Sequence, residues 1–335
     1  MRPDLTQAFR AEEWWEYKLA PILAAMYATA LTIDMAVSAV WPALLIALAA
    51  LVPGAAYVSL INDATDRADD LAAGKPNRLA GHSRMFAGVL IGATAGMGLV
   101  FCVLWRQDAL LLSLYLAAWV AFSLYSLPPF RWKTRGILGV LADASGAHLF
   151  PTLVAVVVVY RQADVPVDVR WMAAVGAWAF MNGLRGILWH QLSDAEHDRR
   201  ATVRTFAQRH DAAAIGRLGA FVIFPIELAG LAGMLWQMGS IIPLVFLGLH
   251  VLLVWGRVRA WQMHAVIVAP KPRFLIVLHE YYDGFLPVAV LCATALRHPA
   301  DLIVLAIHLL LFSTRIRQAA GDAVKLAAAQ AYRWK

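Results

Sequence analysis

The sequence predicts an all-α fold: a polytopic bundle of nine to ten transmembrane helices. Of the 335 residues, 61% are hydrophobic and only 15% are charged, whereas a soluble globular domain is about half apolar and about a quarter charged. The mean hydropathy is +0.63, and the apolar residues gather in long runs. A lipid bilayer is therefore the expected surroundings of this chain.

Ten apolar stretches approach the length of about 20 residues that a membrane-spanning helix requires. Helices are expected because they satisfy their own backbone polar groups in lipid. The ninth and tenth stretches are weaker, because Glu280 and Asp283 interrupt one and the other is short. The predicted spans are residues 19–38, 42–61, 84–105, 109–127, 137–160, 171–192, 213–236, 240–262, 276–297 and 300–317.

Basic residues are distributed unevenly between the two sets of connecting segments. Of the 29 Lys and Arg residues, 24 lie at the termini and in the loops after the even-numbered spans. Only Arg106, Arg161, Arg170 and Arg297 lie in the opposite loops, and Arg185 lies inside a span. Basic residues favour the cytoplasmic side, so we expect both termini to lie on the cytoplasmic side. The expected membrane is a bacterial inner (cell) membrane. The net charge of +7 then needs no nucleic-acid partner.

The chain reads as one membrane domain followed by a short tail. Residues 1–317 contain no low-complexity linker, and residues 318–335 are rich in Ala, which favours a cytoplasmic or interfacial helix. Cys102 and Cys292 both lie in apolar runs, so neither a disulfide framework nor a Cys-based zinc site is expected. The first 18 residues do not resemble a signal peptide.

An acidic cluster follows the second span, in the stretch SLINDATDRADDLAAGKPNRLAG. Asn62, Asp66 and Asp70 are four residues apart and share one face of a continuing helix, with Asp63 and Asp69 beside them. Carboxylates crowded near lipid are costly unless a cation neutralises them. Mg²⁺ prefers oxygen ligands, typically one or two carboxylates together with substrate phosphates. The cluster therefore indicates a site for magnesium and a diphosphate.

Basic residues come directly after this cluster, at Lys75, Arg78 and Arg84. They are interpreted as contacts for phosphate oxygens, which Arg binds through its planar fork and Lys as a point charge. An ordinary solvated loop on the cytoplasmic side would carry the same charges, and the sequence leaves both interpretations open.

A second acidic cluster follows the sixth span, in the stretch NGLRGILWHQLSDAEHDRRATVRTFAQRH. Asp194 and Asp198 are again four residues apart and precede a basic segment, on the same predicted side of the membrane as the first cluster. Two such clusters facing each other can clamp a diphosphate between two metal ions. His190 and His197 raise zinc as an alternative, but a spacing of seven without a nearby Cys is a weak zinc signal.

These motifs resemble those of the UbiA superfamily of intramembrane prenyltransferases. The family pattern NDxxDxxxD is present at residues 62–70 and the pattern DxxxD at residues 194–198. The stretch YSLPPFRWKTRG, from Tyr125 to Gly136, is similar to the YSxPPxRxKxxG segment of the chlorophyll-synthase and homogentisate-prenyltransferase branches. The three motifs occur in family order, and the resemblance covers about residues 15–300. It implies a UbiA-like bundle, usually of nine membrane helices.

The resemblance implies an enzyme that transfers a prenyl group from a prenyl diphosphate to a small acceptor, aromatic or lipophilic, within the membrane. It implies Mg²⁺ as the cofactor, with ionisation of the allylic diphosphate between the two acidic motifs. The implied metal ligands are Asn62, Asp66, Asp70, Asp194 and Asp198. The four aspartates among them are also the implied catalytic residues. The predicted diphosphate-binding residues are Lys75, Arg78, Tyr125, Arg131 and Lys133.

Four polar side chains inside predicted spans five and six are further candidates. Asp143, His148 and Asn182 are interpreted as contacts for the acceptor, since an acid or base there could deprotonate it. Arg185 needs a partner at membrane depth; the alternatives are a substrate phosphate and an ion pair with Asp143 or Asp34. The prenyl tail needs an apolar tunnel, and its candidate aromatic walls are Trp119, Phe122, Phe150, Trp178 and Phe180.

Two other functions stay open at this point. A membrane terpene cyclase of the UbiA type would use the same diphosphate site, with the cation attacking double bonds of its own chain. A transporter would carry out no chemistry, but transporters place their substrate sites near the bilayer midplane at broken helices. The acidic clusters here lie at the predicted inner ends of spans, which favours an enzyme.

Overall fold

The structure is a computed structural model that describes residues 14–72, 74, 76–195 and 205–333, with side chains up to residue 329. Two predicted site residues, Lys75 and Asp198, lie outside the described residues. The described part of the chain is helical except for one two-stranded parallel sheet and the connecting loops.

The helices follow one another with short connections, and several contain a π-helical turn. In chain order they are α1 (Ala20–Thr32), α2 (Trp41–Ala72), α3 (Arg84–Leu104), α4 (Ala109–Ser126), α5 (Ile137–Gln162), α6 (Val169–Ser193), α7 (Phe206–Arg209), α8 (Ala212–Met238), α9 (Ile242–Trp261), α10 (Leu286–Arg297), α11 (Asp301–Leu311) and α12 (Thr314–Arg333). Strands β1 (His264–Val266) and β2 (Phe274–Ile276) pair in parallel. The π-helical turns are Trp15–Leu19, Ser145–Leu149, Gly219–Ile223 and Tyr281–Phe285.

Six helices within the described residues are long and apolar enough to cross a membrane: α2 with its preceding turn, α3, α4, α5, α8 and α9. A seventh span results if α11 and α12, bent by 83° at their junction, are taken together. The predicted number of nine to ten membrane helices is therefore not confirmed. Without the π-helical turns that precede them, helices α1 and α10 have 13 and 12 residues, and α6 is less apolar because it contains Asn182 and Arg185.

The first predicted span, residues 19–38, is wrong at its end. Helix α1 ends at Thr32, and Asp34 has a φ of 55°, which a right-handed helix does not allow. The chain turns here because the carboxylate of Asp301 accepts hydrogen bonds from the amides of Val37 and Ser38, over 3.0 and 2.8 Å. A residue 263 positions further along the chain thus sets this boundary.

The predicted tenth span, residues 300–317, is not one straight helix, because the chain bends by 83° between α11 and α12. The segment before α1 satisfies backbone groups on both sides of the break. Trp15 Nε1 donates to the carbonyl oxygen of Leu311 over 3.0 Å, and the amide of Thr314 donates to the Glu16 carboxylate over 3.1 Å. Helix ends leave such groups without intrahelical partners, so these contacts stabilise the bend.

The interior of the bundle is formed by α1, α10 and the second half of α5. Helix α1 is buried from Ala20 to Leu31, and residues 154–160 of α5 are buried as well. A helix that is apolar on every side belongs inside a bundle. Helices α3 and α9 instead expose most of their apolar side chains, as expected of helices that face lipid.

Two helix pairs position the predicted motifs: α2 and α4 run parallel, and α5 and α6 run antiparallel. At one end of the α2–α4 pair, Ser126 lies 3.5 Å from the amide oxygen of Asn62; at the other end, Tyr115 donates to the carbonyl oxygen of Ala50 over 3.1 Å. In the second pair, the start of α5 packs against the end of α6 in one apolar cluster. The motifs at the ends of α2, α4 and α6 therefore lie at the same end of the bundle.

Candidate functional site

The loop between α4 and α5 carries the third motif and turns back onto α2. Helix α4 ends at Ser126, shortly before Pro128 and Pro129, because proline rings do not continue a helix. Arg131 has a φ of 41°, an uncommon left-handed conformation for a residue other than glycine. This turn directs Arg131 and the buried Lys133 toward the first acidic motif.

Arg131 and Lys133 bind the polar side chains of the first motif. Arg131 Nη2 donates to Asp66 over 2.8 Å and to Asp69 over 2.7 Å. Lys133 Nζ donates to the same Asp66 oxygen and, over 3.1 Å, to the amide oxygen of Asn62. The side chains of Lys133 and Asp66 are only 9% and 15% exposed. Charge-assisted hydrogen bonds of this kind are stronger than neutral ones, so the first and third motifs form one polar group.

The two basic residues of this group respond differently to their surroundings. Burial lowers the pKa of the Lys133 ammonium group, although the charge of Asp66 opposes the shift. Burial also disfavours the charge of Arg131, but its hydrogen bonds to Asp66 and Asp69 outweigh this and raise its pKa. Arg131 therefore stays charged at any physiological pH, and Lys133 is the member of the pair that alkaline pH can neutralise.

Asn77 orients the last carboxylate of the first motif and is absent from the predicted site residues. Its side-chain nitrogen donates to Asp70 and to the carbonyl oxygen of Asp63, each over 2.8 Å. Its side-chain oxygen accepts from the amide of Leu79 over 3.1 Å. In the sequence, Asn77 follows Pro76, and such a pair indicates a turn but no particular chemistry. The predicted Arg78 follows Asn77 directly and is half-buried.

The second motif is only partly described. Asp194 caps the C-terminal end of α6; its carboxylate is 35% exposed and lies 3.9 Å from the ring of His190. Among the described residues, no three His, Cys, Asp or Glu side chains converge to hold a metal. With Asp198 outside that part of the chain, the complete second motif stays a prediction.

The third motif also contacts the segment that follows the second motif. Arg209 of α7 donates to the carbonyl oxygen of Thr134 over 2.8 Å. Gly136 lies against the same arginine, where a Cβ atom would be 3.6 Å from Cδ of Arg209. Because its φ is 63°, this position favours glycine. The third motif thus lies between the first motif on α2 and the chain that continues from α6.

An apolar cavity lies in the bundle near this polar group, and its volume is about 710 Å³ when the part open to solvent is included. Helices α1, α2, α4 and α5 line it, and on α2 the lining runs from Ala50 to Ser59, one helical turn before Asn62. Of the aromatic residues proposed as tunnel walls, Trp119 and Phe122 line this cavity. The other aromatic residues proposed as walls do not line this cavity; they are Phe150, Trp178 and Phe180.

Lys18 lines the same cavity and is likewise absent from the predicted site residues. Of the described residues that form the lining, it alone is charged. It lies in the π-helical turn before α1, at the start of the first predicted span. A basic residue in that place also follows from the positive-inside rule, so its position in sequence carried no specific signal.

Arg185 forms a completely buried ion pair with Glu227 of α8. Its Nε and Nη2 atoms each donate to a Glu227 oxygen over 2.7 Å, and Nη1 donates to the carbonyl oxygen of Val277 over 2.8 Å. The hydroxyl of Tyr282 adds a hydrogen bond to Glu227 over 2.7 Å. The predicted ion pair of this arginine with Asp34 or Asp143 is therefore wrong.

The remaining candidates inside the bundle lie near the contact between α5 and α6. Asn182 is 8% exposed, and its side-chain oxygen has no hydrogen-bond partner among the described residues. Next to it, a Cβ atom on Gly183 would lie 3.0 Å from His148, so the two helices approach closely. Asp143 is half-buried on the same helix as His148. An acceptor-binding role for this group stays a prediction.

The UbiA prenyltransferase family model matches residues 19–275, well over half of the sequence. The chain belongs to the UbiA prenyltransferase family. The resemblance drawn from the three motifs is thus confirmed. Several helices of this chain are long and apolar enough to cross a membrane, and the protein is an integral membrane protein.

Two solved structures are similar to this UbiA-family chain. One is a UbiA homolog from Archaeoglobus fulgidus bound to GPP and Mg²⁺, and the other is a UbiA homolog from Archaeoglobus fulgidus bound to DMAPP and Mg²⁺. Each is 14% identical, with a TM-score of 0.53, over 87% of this chain and 98% of the other. Likeness at this identity shows a UbiA-like fold. No curated protein matches the chain in sequence.

The first motif of this UbiA-family chain fits magnesium. The amide oxygen of Asn62 and a carboxylate oxygen of Asp66 both contact the ammonium group of Lys133. These two oxygen atoms therefore already lie around one positively charged group, as they would around a metal ion. Because Mg²⁺ usually combines one or two carboxylates with substrate phosphates, this donor set does not require a cage made of protein alone.

Proposed function

We propose that this protein is a magnesium-dependent prenyltransferase that moves a prenyl group from a prenyl diphosphate to a small lipophilic acceptor within the membrane. One observation supports this above all: the apolar cavity ends at Ser59, one turn before the polar group of Asn62, Asp66, Arg131 and Lys133. A prenyl diphosphate has the same division into a long apolar tail and a compact charged head.

The diphosphate head belongs at the acidic motifs in this proposal. When bound, Mg²⁺ draws charge from the diphosphate and makes it a better leaving group. Asp66 is the central ligand, since its carboxylate is mostly buried and already binds cations. The proposed magnesium ligands are Asn62, Asp66, Asp70, Asp194 and Asp198.

The basic residues hold the head and stabilise the negative charge that develops on it. Arg131 offers a planar fork and Lys133 a point charge, and both already lie beside Asp66. Donors fixed in place before the reaction stabilise a leaving group without reorganisation. Further proposed diphosphate contacts are Lys18, Lys75, Arg78 and Tyr125.

Breaking the allylic carbon–oxygen bond leaves a carbocation at the start of the cavity. The rings of Tyr57 and Trp119 line the cavity with their centroids 4.8 Å apart, and aromatic faces stabilise cations. The apolar walls keep out water that would otherwise capture the cation. The acceptor then forms the new bond to the carbocation and passes the proton that it loses to Asp143 or His148. Asp143, His148 and Asn182 are the proposed acceptor contacts.

The orientation in the membrane is part of the same proposal. The described parts of the three motifs lie at one end of the bundle, and 24 of the 29 basic residues belong to one set of segments. We therefore place the termini and the mouth of the site on the cytoplasmic side of a bacterial cell membrane.

Pyrophosphate release by the purified protein tests this function directly. The protein in nanodiscs is incubated with Mg²⁺, a labelled prenyl diphosphate and a lipid extract of host membranes, and the product is identified by mass. A prenylated acceptor is expected, with activity lost in EDTA and restored by Mg²⁺. A cyclic hydrocarbon or cyclic alcohol formed from the diphosphate alone would identify a cyclase instead. No release from any prenyl diphosphate would contradict an enzymatic role.

A further inference from the structure

Tyr115 forms the end of the cavity that lies furthest from the polar group. Along α2, Ala50 is the lining residue most distant from Asn62; along α4, Tyr115 is the lining residue most distant from Ser126. These two distal residues are joined, because the hydroxyl of Tyr115 donates to the carbonyl oxygen of Ala50 over 3.1 Å. The two helices are thus bridged where the cavity stops.

The ring of Tyr115 is supported from behind by other aromatic side chains. The rings of Trp105 and Phe101 lie 5.1 and 6.2 Å from it, between centroids. Tyr115 is only 1% exposed, so it is fixed by packing on one side and by a hydrogen bond on the other. It therefore forms a rigid floor rather than a mobile side chain.

Gly54 keeps the middle of the cavity open. It lines the cavity on α2, and a Cβ atom built on it would contact Trp119 at an ordinary 3.8 Å. Trp119 itself is wedged against Gly98 of α3, where a Cβ atom would lie 2.3 Å from the ring. Because the indole has no room to retreat toward α3, a larger side chain at position 54 would fill the cavity.

The spacing of these residues along α2 measures the depth of the cavity. Ala50 lies twelve residues before Asn62, about 18 Å at a helical rise of about 1.5 Å per residue. Gly54 lies eight residues before it, about 12 Å by the same rise. An extended isoprene unit contributes four bonds of about 1.5 Å each, or roughly 5 Å along the chain.

We propose that Tyr115 sets the length of the prenyl group, and that the preferred substrate carries three to four isoprene units. The inference rests on the proposed function, since it assumes that the tail of a prenyl diphosphate occupies this cavity. A tail of that length reaches from the polar group to the ring of Tyr115. A longer one meets the floor, and a shorter one leaves apolar surface uncovered.

Two substitutions that act in opposite directions test the proposal. Dissociation constants are measured with Mg²⁺ for geranyl, farnesyl, geranylgeranyl and geranylfarnesyl diphosphates, with two, three, four and five isoprene units. The unmodified protein should bind the three- and four-unit compounds at least tenfold more tightly than the five-unit compound. Tyr115→Ala removes the ring in front of Trp105 and Phe101 and should bind the five-unit compound at least tenfold more tightly than the unmodified protein does. Gly54→Leu should weaken the three- and four-unit compounds tenfold or more and spare the two-unit compound.

Matched variants separate the length limit from general damage. Gly92→Leu makes the same change on α3, where a Cβ atom would meet nothing within 4 Å, and should bind all four compounds as before. Tyr115→Phe keeps the ring and should still exclude the five-unit compound. If Tyr115→Ala does not fold, Gly54→Leu still decides, because it adds a good helix former to a helix.

The outcomes distinguish the role of Tyr115 from the proposed function. Unchanged length preference in both Tyr115→Ala and Gly54→Leu would overturn the role of Tyr115 and leave the proposed function standing. Failure of the unmodified protein to bind any prenyl diphosphate with Mg²⁺ would overturn the proposed function, and this inference with it.

Discussion

Arg131, in the loop after α4, donates a hydrogen bond to Asp66 of α2 over 2.8 Å. This contact joins two motifs that lie 65 residues apart in sequence. It also shows how crowded carboxylates are tolerated at the end of a membrane helix, since the protein neutralises Asp66 with its own cations. A magnesium diphosphate would therefore exchange with existing ion pairs instead of filling an uncompensated acidic cluster.

Asp66→Asn should reduce pyrophosphate release at least about a hundredfold, the loss typical of removing a key charge-stabilising group. Asp194→Asn should have a similar effect. Both proteins should remain folded, because each change keeps the shape of the side chain. Release of labelled pyrophosphate and thermal unfolding in detergent measure the two effects.

The control for these variants is Asp34→Asn. Asp34 is 76% exposed and pairs with Arg297, so its loss should leave activity nearly unchanged. Full activity in Asp66→Asn, or an inactive Asp34→Asn, would show that the site is misplaced.

Diphosphate binding should weaken at alkaline pH because of Lys133. Burial lowers the pKa of this lysine, so rising pH removes its charge before it would neutralise an ordinary lysine with a pKa of about 10.4. Losing a hydrogen bond to a charged group should weaken binding roughly tenfold or more. Dissociation constants of a prenyl diphosphate between about pH 7 and pH 10 measure this.

Lys133→Arg provides the comparison, because a guanidinium group keeps its charge across this range. Its binding should depend less on pH than that of the unmodified protein, whatever its absolute affinity. Equal pH dependence in the two proteins would assign the effect to another group.

Arg185→Met should destabilise the protein by about 3–5 kcal/mol, because it leaves the carboxylate of Glu227 buried without its cation. The double variant Arg185→Met with Glu227→Met should recover most of this loss, since apolar pairs often replace buried ion pairs well. Thermal unfolding in detergent measures both. Normal pyrophosphate release by the double variant would assign Arg185 a structural role, whereas loss of activity in a stable double variant would place it at the substrate.

Asp108→Ala should lower the free energy of unfolding by about 1 kcal/mol at neutral pH. Asp108 caps α4 through the amide of Leu111, over 3.0 Å, and pairs with Arg161. The hydrogen bond from Arg161 lowers the pKa of the Asp108 carboxyl, although burial opposes it. A group whose pKa is lower in the folded protein stabilises it above its unfolded pKa of about 3.9, and this is lost as the pH falls through the folded value.

The difference between Asp108→Ala and the unmodified protein should therefore shrink below about pH 4. Since Arg161 is 44% exposed, the ion pair contributes little and the cap most of the effect. High salt should leave the neutral-pH difference nearly intact. A difference that persists unchanged under acid conditions would contradict the assignment.

The sequence alone identified the family, the membrane setting and the polar residues of the first and third motifs. These are local properties: apolar runs report on lipid, and the spacing of Asn62, Asp66 and Asp70 places them on one helical face whatever surrounds it. The pairing of Arg131 and Lys133 with Asp66 was also within reach, because both loops follow even-numbered spans and so belong to the same side.

The tertiary structure alone decided which distant residues meet. The partner of Arg185 is Glu227 on another helix, α1 stops where Asp301 binds its turn, and the cavity ends where Tyr115 reaches Ala50. Each depends on which helices pack together, and nearly every helix offers an apolar surface that fits many neighbours. Hydrophobic patterns along a chain place helices in a membrane, but the contacts between their side chains select one arrangement.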